Sequence, residues 1–368
     1  MRTVLTGCVV AVLAGVLAGP AWAGSYFQQL SATMSVARDK PAAALLPDGR
    51  VLIAGGYDSS FNYLASAEVF DPATNTFTLL SATMSSARIS AAAAALPDGR
   101  VLIAGGSNGG YLDSAEVFDP ATNTFTLLSA TMSSARTSAD AAALPDGRVL
   151  IAGGYNSGPD LDSVEVFDPV TNTFSLLPAT MITARGLPAA AALADGRVLI
   201  ASGSNGPSWL DSAEVFDPVT NTFSSVPAMT SARYGAAAAT LPDGRVLIPG
   251  GYNGSSLLAS AEVFDPVTNT FSLLSATMTG VRYDFAAATL PDGRVLIAGG
   301  SNGVYLDSAE VFVSAPVARG SGGAFGSGVV GDLSVRSVTV RNLGAQTLRL
   351  SAGAAITGAN AADFAIVS

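Results

Sequence analysis

The sequence predicts an all-β protein, namely a six-bladed β-propeller that is closed by its N-terminal strand and followed by a short β tail. A segment of the type PDGRVLIAGG recurs six times at a spacing of 48 to 50 residues. The 39 glycines and 19 prolines are spread along the 368-residue chain, as expected for many short strands joined by turns. The residues that follow Gly24 supply a strand that the last repeat lacks. The arginine of each copy marks the register of the repeat: Arg50, Arg100, Arg148, Arg197, Arg245 and Arg294.

Each repeat divides into four short predicted strands. In the second repeat they are Ile89–Leu96, Arg100–Ala104, Ala115–Phe118 and Thr124–Leu128. The turn at 97–99 (PDG) joins the first two, since proline presets φ and glycine accepts a positive φ. Four antiparallel strands at a period near 50 residues predict one propeller blade. The alanine-rich first strand suits the crowded position nearest the propeller axis.

The repeats carry a Gly-Gly pair after the second strand, the segment EVFDP, and an aromatic residue about six positions after its aspartate. Through these features the repeat resembles the kelch repeat family. The resemblance covers roughly residues 26 to 316 and occurs six times, which implies a kelch-type propeller. Kelch repeats usually have tryptophan at the last of these positions, whereas this chain has Phe77, Phe125, Phe174, Phe223 and Phe271.

Closure of the ring is predicted from the two ends of the repeat region. The sixth repeat leaves the pattern after Phe312 and therefore lacks a fourth strand. Residues Tyr26–Met34 align with Thr76–Met84, which form a fourth strand and its exit. We therefore expect the N-terminal strand to complete the last blade, so that the propeller spans residues 24–316 and has no open sheet edge.

The first 23 residues have the pattern of a secretory signal peptide. Arg2 is followed by an apolar run and by Ala21-Trp22-Ala23, which fits cleavage after Ala23. A lipidated Cys8 is the alternative for this leader. No later stretch is long and apolar enough to be a membrane span. The expected location is therefore outside the cell or at its surface.

The C-terminal residues predict a linker and a partial second module. Residues 317–331 are rich in glycine and serine, as flexible linkers are. Residues 332–368 contain two predicted strands, Ser334–Val340 and Gln346–Leu350, and resemble the start of the Ig-like choice-of-anchor modules of secreted bacterial proteins. An unrelated β tail is the alternative. The resemblance implies that the chain belongs to a longer surface polypeptide.

Composition excludes several classes of function. The net charge is −10, with 18 basic residues, which argues against a nucleic-acid partner because phosphate binding needs clustered positive charge. The chain has no histidine, and its one cysteine is Cys8. A Ser-His-Asp triad, a cysteine nucleophile after residue 8 and His/Cys metal sites are thereby excluded. We expect no cofactor and no metal.

Strand order assigns the connections to two faces. The PDG and DPxTN turns follow odd strands and define the turn face, which is nearly identical in all repeats. The loops after Gly-Gly and the M-x-x-[AV]-R connections follow even strands and define the loop face, whose sequences differ. Binding residues tend to lie on variable loops over a rigid frame.

One arginine per repeat lies on the loop face just before the innermost strand. Because guanidinium groups bind carboxylates through a planar fork, these residues predict an anion site, and in some kelch adaptor proteins an arginine at this place contacts acidic peptides. The alternative is that most of these arginines pair with a glutamate and that one or two of them are left free. The arginines are Arg38, Arg88, Arg136, Arg185, Arg233 and Arg282, and the glutamates are Glu68, Glu116, Glu165, Glu214, Glu262 and Glu310.

Departures from the repeat average give the other candidate ligand-binding residues. Asp140 replaces an alanine of an inner strand, and Lys40, Tyr234, Tyr283 and Asp284 occupy the first positions after their arginines. Aromatic residues on the loops suit contact with sugars or peptides, with ordinary loop packing as the alternative for each. They are Tyr57, Phe61, Tyr63, Tyr111, Trp209 and Tyr305.

Three functions follow. The first is an exported non-catalytic binding protein that contacts a glycan or protein ligand through the loop face. The second is a sugar mutarotase, similar to the six-bladed kelch sialic-acid epimerase, because ring opening needs one proton donor and one acceptor. The third is a purely structural surface module. The copper chemistry of galactose oxidase needs ligands that this chain lacks, and the sialidase boxes are missing.

Overall fold

The computed structural model describes residues 24–314, 318–321 and 339–342. Residues 27–312 form one compact unit. In it, strands are organised into four-stranded antiparallel sheets, and inner strands of successive sheets lie side by side around an axis. The prediction of an all-β, six-bladed propeller is confirmed. The predicted leader and most of the predicted C-terminal Ig-like segment lie outside the described residues.

Three blades follow the N-terminal strand. Strand β1 is Tyr26–Thr33. Blade 1 contains β2 Ala42–Leu45, β3 Val51–Ala54, β4 Ser66–Asp71 and β5 Thr76–Thr83. Blade 2 contains β6 Ala92–Ala95, β7 Val101–Ala104, β8 Ser114–Asp119 and β9 Thr124–Thr131. Blade 3 contains β10 Asp140–Ala143, β11 Val149–Ala152, β12 Val164–Asp168 and β13 Thr173–Leu176.

The other three blades repeat this plan, with one small hairpin added. Blade 4 contains β14 Ala189–Ala192, β15 Val198–Ala201, β18 Ala213–Asp217 and β19 Thr222–Val226. Its loop forms the hairpin of β16 Ser204–Asn205 and β17 Ser208–Trp209, which the sequence did not predict. Blade 5 contains β20 Ala239–Thr240, β21 Val246–Pro249, β22 Ser260–Asp265 and β23 Thr270–Thr277. Blade 6 contains β24 Ala286–Thr289, β25 Val295–Ala298 and β26 Ser308–Val313.

The N-terminal strand completes the last blade, as predicted. The sheet order in blade 6 is β1-β26-β25-β24, so β1 takes the outer position that β5 holds in blade 1. On the loop face, Met34 N donates to Asp307 O at 2.9 Å and Arg38 N donates to Leu306 O at 3.0 Å. Inner strand β2 lies against β24. The ring is therefore closed.

The core lies between neighbouring blades. The second strand of each blade is apolar throughout and buried on both faces, as a strand inside stacked sheets must be. Between blades 1 and 2, Leu52 and Val69 of one blade pack against Val101, Ile103 and Phe118 of the next. The alanines of the innermost strands line a central channel.

The PDG turns pack against one another around the turn face. Gly99 has a φ of +88°, and a methyl group there would lie 2.7 Å from Pro47 Cγ of the neighbouring turn. A methyl group at Gly49 would likewise lie 2.8 Å from Pro291 Cγ. This contact joins blade 1 to blade 6. The recurrence of glycine and proline is therefore set by contact between blades as well as by the turn itself.

A separate strand pair occurs beyond the propeller. Strand β27 Ala318–Ser321 pairs antiparallel with β28 Thr339–Asn342. The first of these ranges was predicted to belong to the linker, and the structure places it in a strand instead, because residues 339–342 return antiparallel and complete a four-residue ladder with it. The second overlaps the predicted strand Ser334–Val340.

Candidate functional site

Six equivalent residues surround the loop-face opening of the central channel, one from each blade. Each stands two positions after the loop-face arginine and adopts a left-handed backbone conformation, with φ between +49° and +65°. A non-glycine residue at positive φ is uncommon, and here it occurs five times at one place. We call this set the mouth ring: Lys40, Ser90, Ser138, Leu187, Gly235 and Asp284.

Backbone hydrogen bonds join the members of the mouth ring from blade to blade. Lys40 N donates to Asp284 O at 2.8 Å, and Ser90 N donates to Lys40 O at 3.0 Å. Equivalent bonds run from Ser138 to Ser90, from Leu187 to Ser138 and from Asp284 to Gly235. The left-handed conformation directs each amide and carbonyl along the ring. The opening is thus held by the backbone, and the side chains of the ring are free to differ.

The charged residues of the mouth ring lie at the junction of blades 6 and 1. Lys40 Nζ is 3.5 Å from Asp284 Oδ2, with 26% of the lysine side chain exposed. Asp39, the residue before Lys40, is 4% exposed, and Asp284 is 5% exposed. Within residues 24–314, Asp39 Oδ1 and Asp284 Oδ1 have no hydrogen-bond partner. Closure of the propeller therefore brings two buried carboxylates and one lysine together.

The electrostatics of this group follow from its burial. Burial, reinforced by the charge of Asp284 and opposed by Lys40, raises the pKa of Asp39 to about 7. Burial also raises the pKa of Asp284, against the opposing effect of Lys40. The charge of Asp284 raises the pKa of Lys40. Burial, followed by the charge of Asp284, raises the pKa of Tyr234 to about 12. At neutral pH Lys40 is therefore charged, and Asp39 is near its midpoint.

Aromatic side chains surround the group on two sides. On the side of blades 1 and 6, the Tyr57 ring is 4.8 Å from Tyr63 and lies parallel to Tyr305 at 6.3 Å. On the side of blades 4 and 5, Trp209 is 4.7 Å from Tyr234. Antiparallel backbone bonds pair Asp39 with Tyr57, a member of the first set.

The structure brings some of the predicted residues together and separates others. Lys40, Asp284 and Tyr234 form one group, in which Tyr283 also takes part through its charge interaction with Tyr234. Trp209 contacts this group through Tyr234. Tyr111 lies apart, with its ring 5.5 Å from Tyr155.

The six predicted arginines are buried and paired. Arg88 Nη2 lies 3.2 Å from Glu116 Oε1, and its Nη1 donates to the carbonyls of Gly105 and Ser114 at 2.9 Å. Glu116 Oε2 accepts from Ser85 N at 2.7 Å. Burial lowers the pKa of all six arginines, against the opposing effect of their glutamates. The other pairs are Arg38–Glu68, Arg136–Glu165, Arg185–Glu214, Arg233–Glu262 and Arg282–Glu310.

The expectation that one or two of these arginines stay free is therefore wrong. Each side chain is at most 4% exposed, and a buried guanidinium without a partner is costly. The backbone of Arg88 bonds to blade 1 while its side chain bonds to blade 2. These arginines link consecutive blades, and none of the six presents its guanidinium fork at the opening.

Asp140 also connects two blades. It lies in the inner strand of blade 3, where Oδ1 accepts from Ala141 N at 2.8 Å and Oδ2 accepts from Ala190 N of blade 4 at 2.7 Å. Burial raises its pKa to about 6, although the two amides oppose the shift. The channel below the mouth ring has a volume of about 380 Å³. Its walls are mostly alanine, and its charged lining residues in the described chain are Lys40, Asp140 and Asp284.

Sequence reasoning missed two acidic residues of the loop face. Asp39 was overlooked although it is the one acid at that position in six repeats, where the others have Ile, Thr, Gly or Tyr. Asp160 accepts from Gly206 N at 2.8 Å and so attaches the blade 3 loop to the blade 4 hairpin. Asp160 gave no signal in the sequence, because the loops differ in length and composition.

Within the described ranges there is no group of three or more His, Cys, Asp or Glu side chains able to hold a metal ion. Those ranges also contain no helix with the length and apolar character that crossing a membrane requires.

Comparison with known families gives two matches. The profile described as the KLHDC2/KLHL20/DRC7 Kelch-repeats domain matches residues 42–235. The profile described as the Kelch motif matches residues 232–277. The curated proteins searched contain no match to the chain.

Proposed function

The chain belongs to the kelch-repeat family, whose propeller points to a protein-interaction module, and from this premise we propose that it is an exported, non-catalytic binding protein. Its ligand is a protein or a glycan held on the loop face. Export is supported by the signal-peptide pattern of the first 23 residues. Sequencing the N-terminus of the secreted protein tests this part: export with cleavage after Ala23 leaves Gly24 first.

One observation carries the proposal of a loop-face ligand. The turn face and the blade cores are nearly the same in all repeats, whereas the mouth ring differs in charge and shape at almost every position. The non-repeated residues Lys40, Asp284 and Tyr234 converge there, with aromatic rings on two sides. A frame of constant backbone with variable side chains at one opening is the arrangement of a recognition surface.

A pair of matched variants tests where the ligand binds. The purified protein is applied to a glycan array and to an array of short peptides of varied charge. Trp209→Ala removes an aromatic group of the loop face that is 37% exposed, and it is expected to weaken binding at least tenfold. Val219→Ala, on the turn face and 90% exposed, is expected to leave it unchanged. Equal effects of the two variants would contradict the proposal.

Mutarotation is the second candidate, because the raised pKa of Asp39 suits a general acid or base near neutral pH. Its low exposure weighs against access of a sugar ring. Anomer-exchange NMR on sialic acid and aldoses tests this candidate. A rate no greater than that of buffer rejects it, and a catalysed rate that Asp39→Asn abolishes supports it.

A further inference from the structure

We propose that the mouth ring binds an organic cation, and specifically the ammonium or guanidinium group of a basic side chain of a protein ligand. This inference deepens the proposed function and rests on it, since it assumes that the ligand approaches the loop face. It replaces the anion site that the arginines had predicted.

The first argument is the charge that remains at the opening. Every arginine between residues 24 and 314 has a carboxylate within 3.2 Å, and those of the loop face are neutralised by buried glutamates. The charges left at the channel and its mouth are Lys40 against Asp39, Asp140 and Asp284. As the pH rises above 7, Asp39 and Asp140 lose their protons, and the group then becomes more negative and attracts a cation.

The second argument is that two carboxylate oxygens at the mouth lack donors. Asp39 and Asp284 are more than nine-tenths buried, yet Oδ1 of each is without a hydrogen bond in the described chain. Lys40 approaches only the other oxygen of Asp284, at 3.5 Å. Buried polar atoms are normally hydrogen-bonded. An ammonium group brings three donors and a guanidinium brings five, so either can donate to Asp284 Oδ1, whose residue lines the channel.

The third argument is that the mouth ring places no side chain beside Asp284 Oδ1 at Gly235. Gly235 is the one member of the mouth ring without a side chain, and a methyl group there would stand 2.5 Å from Asp284 Oδ1. Asp284 and Gly235 both line the 380 Å³ channel. Asp284 Oδ1 therefore occupies the space that a side chain at Gly235 would fill, and the alanine walls below leave space for an aliphatic stem.

The fourth argument is the aromatic surroundings. The rings of Tyr57 and Tyr305 lie parallel, and the backbone of Tyr57 pairs with that of Asp39. Burial, followed by the charge of Asp39, raises the pKa of Tyr305. Tyrosine faces attract cations at short range. Carboxylates flanked by tyrosines match a basic side chain better than an acidic or an apolar one.

Saturation-transfer NMR with short capped peptides tests the inference. The probes are Gly-Gly-X-Gly-Gly peptides in which X is Lys, Arg, acetyl-lysine or Glu, together with free spermidine. We expect signals from the Lys and Arg side chains and at least tenfold weaker signals from acetyl-lysine and Glu. Peptide binding with no response to spermidine assigns the cation to a protein ligand. Spermidine binding tighter than the peptides would overturn that assignment in favour of a polyamine.

Variants at the site and away from it complete the test. Asp284→Asn is expected to weaken binding of the Lys peptide at least tenfold, and Asp98→Asn, a carboxylate variant on the turn face, is expected to leave it unchanged. Lys40→Gln should bind the Lys peptide at least as tightly as the unsubstituted protein at pH 8.5. Loss of binding in Lys40→Gln would overturn the inference, because Lys40 would then be the contact group.

The outcomes also separate this inference from the proposed function. Preferential binding of the Glu peptide, or equal binding by the Asp284→Asn variant, would overturn the cation site. If that binding still depended on Trp209, a ligand would nevertheless occupy the loop face and the proposed function would stand. Circular dichroism of each variant confirms that the fold is retained.

Discussion

Phe27 and Phe312 pack with their ring centroids 4.9 Å apart, although they come from opposite ends of the propeller sequence. The distance equals that between Phe70 and Phe77, which belong to one continuous blade. Phe27 is 8% exposed and lies in the core shared by blades 5 and 6. The outer strand of the last blade thus packs as the outer strands of the other blades do, and the N-terminus supplies that strand.

Removal of residues 24–31 should therefore destabilise the whole ring. The deletion removes Phe27 and most of β1, exposes β26 as an open edge, and is expected to lower the melting temperature by more than about 5 °C. The single change Phe27→Ala should cost about 3 kcal/mol, as large-to-small core changes do. Phe61→Ala, at a ring that is 70% exposed, is the control and should cost less than about 1 kcal/mol. An unchanged melting temperature after the deletion would show that blade 6 is stable with three strands.

The loop-face ion pairs should contribute more to stability than those of the turn face. Glu116→Ala leaves Arg88 buried without its carboxylate and removes the acceptor of two backbone amides. We expect a loss of about 3–5 kcal/mol in urea denaturation. The control is Asp98→Ala, which breaks the solvent-exposed pair with Arg100 and should cost less than about 1 kcal/mol. Equal losses would mean that the buried pair gains nothing from its burial and its amide bonds.

The sequence predicted those features that depend on repetition. The alignment of Tyr26–Met34 with Thr76–Met84 was sufficient to predict closure, because each strand carries its own alternation of buried and exposed residues. The pairing of most arginines with glutamates, which was the alternative to an anion site, followed from their equal number and from the cost of a buried charge. Both features are properties of the repeat, and they can be predicted because the sequence contains six copies of it.

The candidate site could be predicted only in part, since it depends on relations between blades. Lys40 and Asp284 were recognised as departures from the repeat, but their contact arises only when the ring closes. The left-handed conformation of Ser90, Ser138 and Leu187 gave no signal, because glycine is the residue that normally marks it. The burial of all six loop-face arginines, which removes the predicted anion site, is likewise set by packing.

Asp39 should make stability depend on pH. Burial and the charge of Asp284 raise its pKa to about 7, although Lys40 opposes the shift. The folded state therefore favours the neutral form of Asp39. Its contribution to stability is complete below about pH 4 and is lost as the pH rises through 7. The gain in the free energy of unfolding caused by Asp39→Asn should therefore be larger at pH 8 than at pH 4, by on the order of 2–4 kcal/mol. Melting curves of both proteins at the two pH values check this, and a difference that is the same at pH 4 and pH 8 would contradict it.

Asp140 is expected to act as a link between blades 3 and 4. The oxygen that accepts from Ala190 N at 2.7 Å is retained in kind by asparagine but not by alanine. At one pH, Asp140→Ala should therefore be less stable than Asp140→Asn by about 1 kcal/mol, the usual net value of a hydrogen bond. Urea denaturation of the two variants side by side measures the difference. Equal stability would show that the bond to Ala190 contributes nothing.

The side chain of Asp284, and not the positive φ of the backbone, requires glycine at position 235. Its φ is +65°, yet Lys40 and Asp284 adopt φ of +56° at equivalent positions, so a side chain is compatible with that conformation. A methyl group at Gly235 would instead meet Asp284 Oδ1 at 2.5 Å. Gly235→Ala should therefore displace the carboxylate, destabilise the protein by about 1–3 kcal/mol and weaken binding of the lysine peptide. In the double variant Gly235→Ala/Asp284→Ala the contact is gone, and the loss should be smaller than the sum of the two single losses. If the two losses are strictly additive in urea denaturation, the cost of Gly235→Ala comes from backbone strain and not from the contact with Asp284. The control is Gly280→Ala, where the new methyl group has no atom within 4 Å.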